Sequence, residues 1–261
     1  MRDSPGTERL YLEDPYRREC DATVTSRQEA AVELDATIFC PHSHDYGHPQ
    51  TSDKGLVRFN GNSLRVKRVD VTRNRIVHFL EGRPLPAKGA RVHCALDYPM
   101  RHAMMRLHAA AHVVLDVAEP KLGARPKFIA SRSPEIDAFA AYVYFEPGSL
   151  TLESSRDLEA AVNFELARAR SIVSRWIPRE AAEARADAAR LRLSRIPKGH
   201  DPLRFVEIEG LGEWPCDGTL VRSAREVGQV VVRELRPMKS GQKLVLGLQD
   251  LPPPTPLPPP R

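Results

Sequence analysis

Two histidines one helical turn apart, His108 and His112, are the first residues here whose spacing could do chemistry. Residues i and i+4 of a helix lie one above the other on one face, so His108-Ala-Ala-Ala-His112 could offer two imidazoles to one metal ion. With nine histidines in 261 residues such a pair also arises by chance, and two half-buried polar residues on a helix would look the same. The glutamate of an H-E-x-x-H protease site is absent, since Ala109 stands in its place, which argues against that class of hydrolase. A third donor comes much later. Cys216, in Trp214-Pro-Cys-Asp-Gly-Thr-Leu-Val221, sits in a turn-rich approach to a strand and could aim a thiolate at the histidine pair. Two imidazoles and one thiolate form a zinc-type donor set.

The elements that must position these residues can be read from periodicity. From Leu10 to about Asp97 the chain shows short β-branched or alternating segments at Ala22 to Thr25, Ala31 to Phe39, Leu56 to Phe59, Ser63 to Val71, Arg75 to Leu80 and Arg91 to Asp97. Pro and Gly punctuation at Gly82, Pro84, Pro86 and Gly89 suits a small barrel better than a parallel sheet. Met100 to Ala118 is the clearest helix, with Met104, Leu107, Ala111, Leu115 and Ala118 at helical spacing and Pro120 expected just beyond its end. A strand is expected at Phe139 to Phe145, a second amphipathic helix at Ser155 to Trp176, and an Ala/Arg/Glu-rich helix from Pro178 to about Leu193. Strands return at Leu203 to Ile208, Gly228 to Leu235 and Lys243 to Leu248. The expected class is α+β: a β-barrel-like domain over 1–98, an α+β domain of helices packed on antiparallel sheet over 99–250, and a proline-rich tail over 251–261.

Composition narrows the function classes. The chain carries 39 Lys+Arg against 34 Asp+Glu, a net +5, with 41% hydrophobic and 28% charged residues, as expected of a soluble globular protein. No apolar run approaches the ~20 residues of a membrane span, and the charged start has no secretory core, so a cytoplasmic location is expected. Four widely spaced cysteines, Cys20, Cys40, Cys94 and Cys216, argue for thiols rather than a disulfide framework. The positive charge permits a nucleic-acid partner without requiring one.

Five segments, in order, resemble the AlaX-type alanyl-tRNA editing proteins and the editing domain of alanyl-tRNA synthetase, which share a fold with the threonyl-tRNA synthetase editing domain. Leu10-Tyr-Leu-Glu-Asp-Pro-Tyr16 is similar to the family's opening Y-x-E-D-x-Y, and Leu34-Asp-Ala-Thr-Ile-Phe-Cys-Pro41 to its L-D-x-T-x-F-Y-P strand. His108 and His112 match its H-x-x-x-H helix, and Phe205-Val-Glu-Ile-Glu-Gly-Leu its next strand. Cys216-Asp-Gly-Thr-Leu-Val221 with Glu226-Val-Gly228 matches C-x-G-T-H-V followed by E-[IV]-G. Two departures fall on the chemistry. Leu220 replaces the family's fourth zinc ligand, and Gly47-His-Pro-Gln50-Thr-Ser-Asp53-Lys-Gly55 replaces a loop richer in glycine, after an insertion at Ser43-His-Asp-Tyr46. Losing glycines there reshapes the wall of the pocket.

The resemblance implies an α+β editing-type domain that hydrolyses mischarged aminoacyl-tRNA, chiefly a seryl-tRNA with alanine identity, using Zn2+ and no ATP. It implies Zn2+ on His108, His112 and Cys216, and pocket roles for Thr37 and Gln50. A Thr37 hydroxyl in the pocket could separate serine from alanine, although Thr37 could equally be an ordinary strand residue. The partner implied is the aminoacylated acceptor end of tRNA, with Arg65, Lys67, Arg68, Arg101 and Arg106 as phosphate contacts or simply a solvated face; Arg73 and Arg75 extend that set. Three readings of Leu220 stay open: a three-ligand zinc with an open position, a substitute ligand from His42, His44, His48 or Asp217, or a fold kept after metal binding was lost. The last makes the protein a non-hydrolytic relative that binds aminoacyl-tRNA or another small ligand.

Overall fold

The computed structural model describes residues 6–42, 49–72, 75–127, 135–191 and 193–251. Residues 43 to 48, which hold His44 and His48, together with Arg73 and the tail from Pro252, lie outside the described residues.

The chain starts with a short strand, β1 (Glu8–Arg9), and one turn of helix, α1 (Leu10–Glu13). Then follow β2 (Glu19–Arg27), β3 (Ala31–Leu34), β4 (Ala36–Thr37), β5 (Gly55–Phe59), β6 (Asn62–Thr72), β7 (Arg75–Glu81) and β8 (Arg91–Leu96). Six of these close into a barrel in the order β2-β3-β7-β6-β5-β8, and β1 pairs in parallel with β4 beside it. Alternation causes this arrangement. Along β6, Leu64 and Val66 point inward while Arg65 and Lys67 face water, and a bulge between Val66 and Arg68 brings Val69 inward in turn.

Asp97 caps the next element, α2 (Tyr98–Leu122), by accepting the Met100 N–H, and Pro99 sits in its first turn, where the missing N–H costs nothing. Gly123 ends α2 in the left-handed conformation, at φ +64°. Helix α2 therefore runs a turn beyond the expected stop, with Pro120 inside its last turn. Its residues from Ala103 to Leu115 are buried except Arg106, so it is the central helix of the second half rather than a surface helix with one apolar stripe.

The rest comprises β9 (Ala141–Phe145), α3 (Leu152–Ala167), β10 (Ile172–Ile177), α4 (Arg179–Glu183), α5 (Ala188–Leu191), β11 (Leu203–Ile208), β12 (Gly212–Pro215), β13 (Val230–Met238) and β14 (Gly241–Leu248). They form two antiparallel sheets, β10-β11-β12 and β13-β14-β9, with α2 and α3 packed on them. The helix expected from Ser155 to Trp176 is two elements. α3 stops at Ala167, Ala169 turns the chain with a positive φ of 55°, and β-branched Ile172 and Val173 start a strand. The expected long helix after Pro178 is two short ones. Among the described residues, buried apolar side chains fall into two clusters, one inside the barrel around Val24, Phe39 and Val57 and one around α2. No helix among the described residues is long and apolar enough to cross a membrane.

Candidate metal centre

Midway along α2, His108 and His112 stack with their ring centroids 5.1 Å apart and nearly parallel, at 9°. Cys216 follows β12 and meets them: donor atoms of all three lie within 4.8 Å of one another, and all three residues are buried. Cys216 Sγ is 3.5 Å from His108 Nε2.

Gln50 fixes which nitrogen of His108 can bind. The backbone N–H of Thr219 donates to Gln50 Oε1 at 3.1 Å, so that atom is the amide oxygen. His108 Nδ1, 3.2 Å from the same oxygen, must then carry its proton and donate it, which leaves the Nε2 lone pair on the side of Cys216. An outer hydrogen bond that sets the tautomer of a ligating imidazole is a common support of metal sites. Gly218 makes this approach possible: a Cβ there would lie 2.3 Å from His108 Cε1 and 2.8 Å from Gln50 Oε1.

Burial pushes the Cys216 thiol up to about 12, while the Arg204 guanidinium beside it pulls the other way. A thiolate in that setting needs a cation close by. Two buried imidazoles, one held in the ligating tautomer, with a buried sulfur in reach, fit a metal ion preferring N and S donors. Leu220 adds no donor and packs in the apolar core around α2. Beside His108, a recess of about 10 Å³, room for about one water, is lined by Arg9, Tyr11, Cys40, Gln50, His200, Asp217 and Gly218 among others. Arg9 and His200 carry no sequence pattern that points to this place, and Tyr11, the first tyrosine of the Leu10–Tyr16 motif, is brought there by the fold.

The other expected residues divide. Thr37 is fully buried in the barrel: Phe39 N–H donates to its hydroxyl, which is 2.8 Å from His78 Nε2, while His78 Nδ1 is within reach of the Val32 carbonyl. It does not line the recess by His108. Arg101 corrects an expectation. Rather than facing phosphates, it is completely buried and forks onto Asp53, with Nη2 also donating to the Ile38 carbonyl and Nη1 to that of Pro15. Asp53 takes the Cys40 N–H on the same carboxylate, so the pair ties α2 to the loop that delivers Gln50. Arg106 is also engaged, with the Val227 carbonyl and Asp250. Arg65, Lys67 and Arg68 are exposed on β6, where Arg68 pairs with Asp70 and lies 4.1 Å over the Phe79 ring. His42 holds the Gln50 carbonyl through Nδ1 at 2.8 Å, a contact that positions the loop.

Two motif residues meet across 210 positions. Tyr16 hydroxyl donates to the Glu226 carboxylate, which also caps its own turn through the Ser223 N–H. Gly228 closes that turn at φ +73°, where a Cβ would press on Arg106.

No family model matches the chain. It is similar to alanine-tRNA ligases of Ignicoccus hospitalis (32% identical over 239 residues, 91% of this chain and 25% of the relative) and Hyperthermus butylicus (30% over 242 residues, 91% and 25%). That of Korarchaeum cryptofilum is 29% identical over 242 residues, 92% of this chain and 26% of the relative. The chain is thus related to alanine-tRNA ligases over nine tenths of its own length, and spans about a quarter of theirs.

Proposed function

We propose that this protein is an editing-type aminoacyl-tRNA deacylase that acts in trans on mischarged tRNA, a seryl-tRNA with alanine identity being the leading substrate. The convergence of His108, His112 and Cys216 within 4.8 Å carries the reading, and the kinship with alanine-tRNA ligases supplies the substrate class. Zn2+ held by these three would supply Lewis-acid polarisation or a more acidic bound water. Gln50 holds His108 in the binding tautomer, and Gly218 lets the Cys216 segment close on the imidazole. An aminoacyl ester is already activated, so orienting it against one water, for which the recess beside Gln50 and Gly218 has room, answers most of what the reaction requires. Arg65, Lys67 and Arg68 provide exposed cations for tRNA phosphates in the cytoplasm.

The apolar packing of Leu220, where the editing family that the sequence resembles has its fourth ligand, favours a second reading: a protein that binds aminoacyl-tRNA without cleaving it. Metal content of the purified protein, with deacylation of seryl-, glycyl- and alanyl-tRNA by wild type and His108→Ala, decides between them. Stoichiometric zinc, lost together with deacylation in His108→Ala, is the expected result. Metal-free protein that binds tRNA with native affinity and releases no amino acid establishes the second reading instead.

A further inference from the structure

Sheet β10-β11-β12 carries a row of three residues that the metal centre does not account for. Trp176 on β10 pairs with Arg204 on β11, and the Cys216 N–H donates to the Arg204 carbonyl, continuing the register of Phe205 with Pro215. Residues directly opposite in an antiparallel sheet share a face, so Trp176, Arg204 and Cys216 form one line across three strands. Two strand spacings separate its ends, placing Trp176 about 10 Å from the Cys216 backbone. Helix α2 covers this face at β12, where Trp214 donates to Asp116 at 2.7 Å, and leaves it open at β10.

The uncovered part is a cleft of about 370 Å³ lined by Ile172, Ser174, Arg204, Val206, Leu220 and Arg222 among others, with Glu13 at its rim. That volume is in the range of ligand pockets. Arg204 is 5% exposed and has no carboxylate partner among the described residues. Its Nη1 donates to the carbonyls of Cys216 and Gly218, and its Nε has no partner among the described residues. Apart from the Cys216 thiol beside it, no acidic group among the described residues pairs with this guanidinium, and a cation so buried favours an anion nearby. Trp176, 54% exposed, has no ring or cation packed on it among the described residues, whereas Phe164, 60% exposed on α3, lies against Lys121 and Arg168.

We propose that Trp176 is the stacking platform for the terminal base of a single-stranded RNA 3′ end, held over the Arg204 cleft with its ester-bearing sugar toward His108, His112 and Cys216. The inference rests on the deacylase reading and adds to it the nucleotide subsite. An aromatic face, a buried cation and the reach of one nucleoside to the donor cluster fit an RNA end better than a protein surface, which would need a broad apolar patch.

The experiment is fluorescence anisotropy of a labelled short RNA ending in CCA, titrated with wild type, Trp176→Ala, Trp176→Phe and Phe164→Ala. Stacking contributes about 1 to 3 kcal/mol per base, so Trp176→Ala should weaken binding about 5- to 150-fold. Trp176→Phe should keep most of the affinity, and Phe164→Ala should match wild type. Far-UV circular dichroism and metal content should not change in Trp176→Ala, because the side chain is half in solvent. Wild-type binding that Trp176→Ala leaves within twofold overturns the subsite and keeps the deacylase reading; no RNA binding by wild type overturns both. A wild-type dimer that Trp176→Ala converts to monomer, with RNA affinity unchanged, assigns the tryptophan to self-association and overturns the proposal.

Discussion

Asp53→Asn tests how the barrel is joined to the helix that bears the histidines. Both side chains of the Asp53–Arg101 pair are 1% exposed or less, and the carboxylate holds the guanidinium by both oxygens and takes the Cys40 N–H. Removing the negative charge leaves Arg101 buried with only carbonyl partners, a change that costs about 3 to 5 kcal/mol in comparable buried pairs. At about 2 to 4 °C per kcal/mol for a chain of this size, the melting temperature should fall by about 6 to 20 °C. Circular dichroism melts of wild type, Asp53→Asn, Arg101→Met and the double variant form the assay. The double variant should regain part of the loss, because it removes both charges together. Molar salt should leave the difference standing, as a buried pair is little screened. If Arg101 instead contacted phosphates, Arg101→Met would melt like wild type and bind tRNA more weakly in a salt-dependent way. That outcome, or an Asp53→Asn melt within 2 °C of wild type, refutes the clamp.

Gly218→Ala places a methyl group 2.3 Å from His108 Cε1; metal stoichiometry by atomic absorption should drop sharply while the barrel stays folded. Retained metal would show that the Cys216 segment can retreat. Gln50→Leu removes the acceptor that fixes the His108 tautomer, and metal affinity measured against a competing chelator should fall about 10- to 100-fold. His78 supplies a pH signature. Burial lowers it to about 4, so between pH 6.5 and 4 the unfolded chain takes up a proton that the folded chain refuses. Stability from this residue is full above pH 6.5 and declines as pH falls, by about 3 kcal/mol near pH 4. Urea midpoints at several pH values should show this slope in wild type and less of it in His78→Phe; equal slopes would assign the acid sensitivity to other groups.

Much of the site is legible in the sequence. Helical spacing put His108 and His112 on one face, the turn-rich segment offered Cys216, and alternation along 10–97 read as a small barrel because inward and outward residues must differ in a closed sheet. Gln50 was named from its motif, but its task, fixing a tautomer through Thr219 and His108, needed contacts 58 and 169 residues away. The end of α3 is hidden in the sequence because Leu166, Val173 and Trp176 also fit helical spacing; only the turn at Ala169 and the pairing with β11 separate them.

What the sequence determined by itself is what depends on neighbours within a turn or two: faces, caps, alternation and the types of donor available. Tertiary structure alone decided that Arg101 belongs to Asp53, that Thr37 spends its hydroxyl on Phe39 and His78, and that Trp176, Arg204 and Cys216 stand in one row. An arginine reads the same in a one-dimensional string whether its charge ends in water or against a buried carboxylate. Which of these occurs depends on desolvation and long-range pairing, and both are properties of the folded chain.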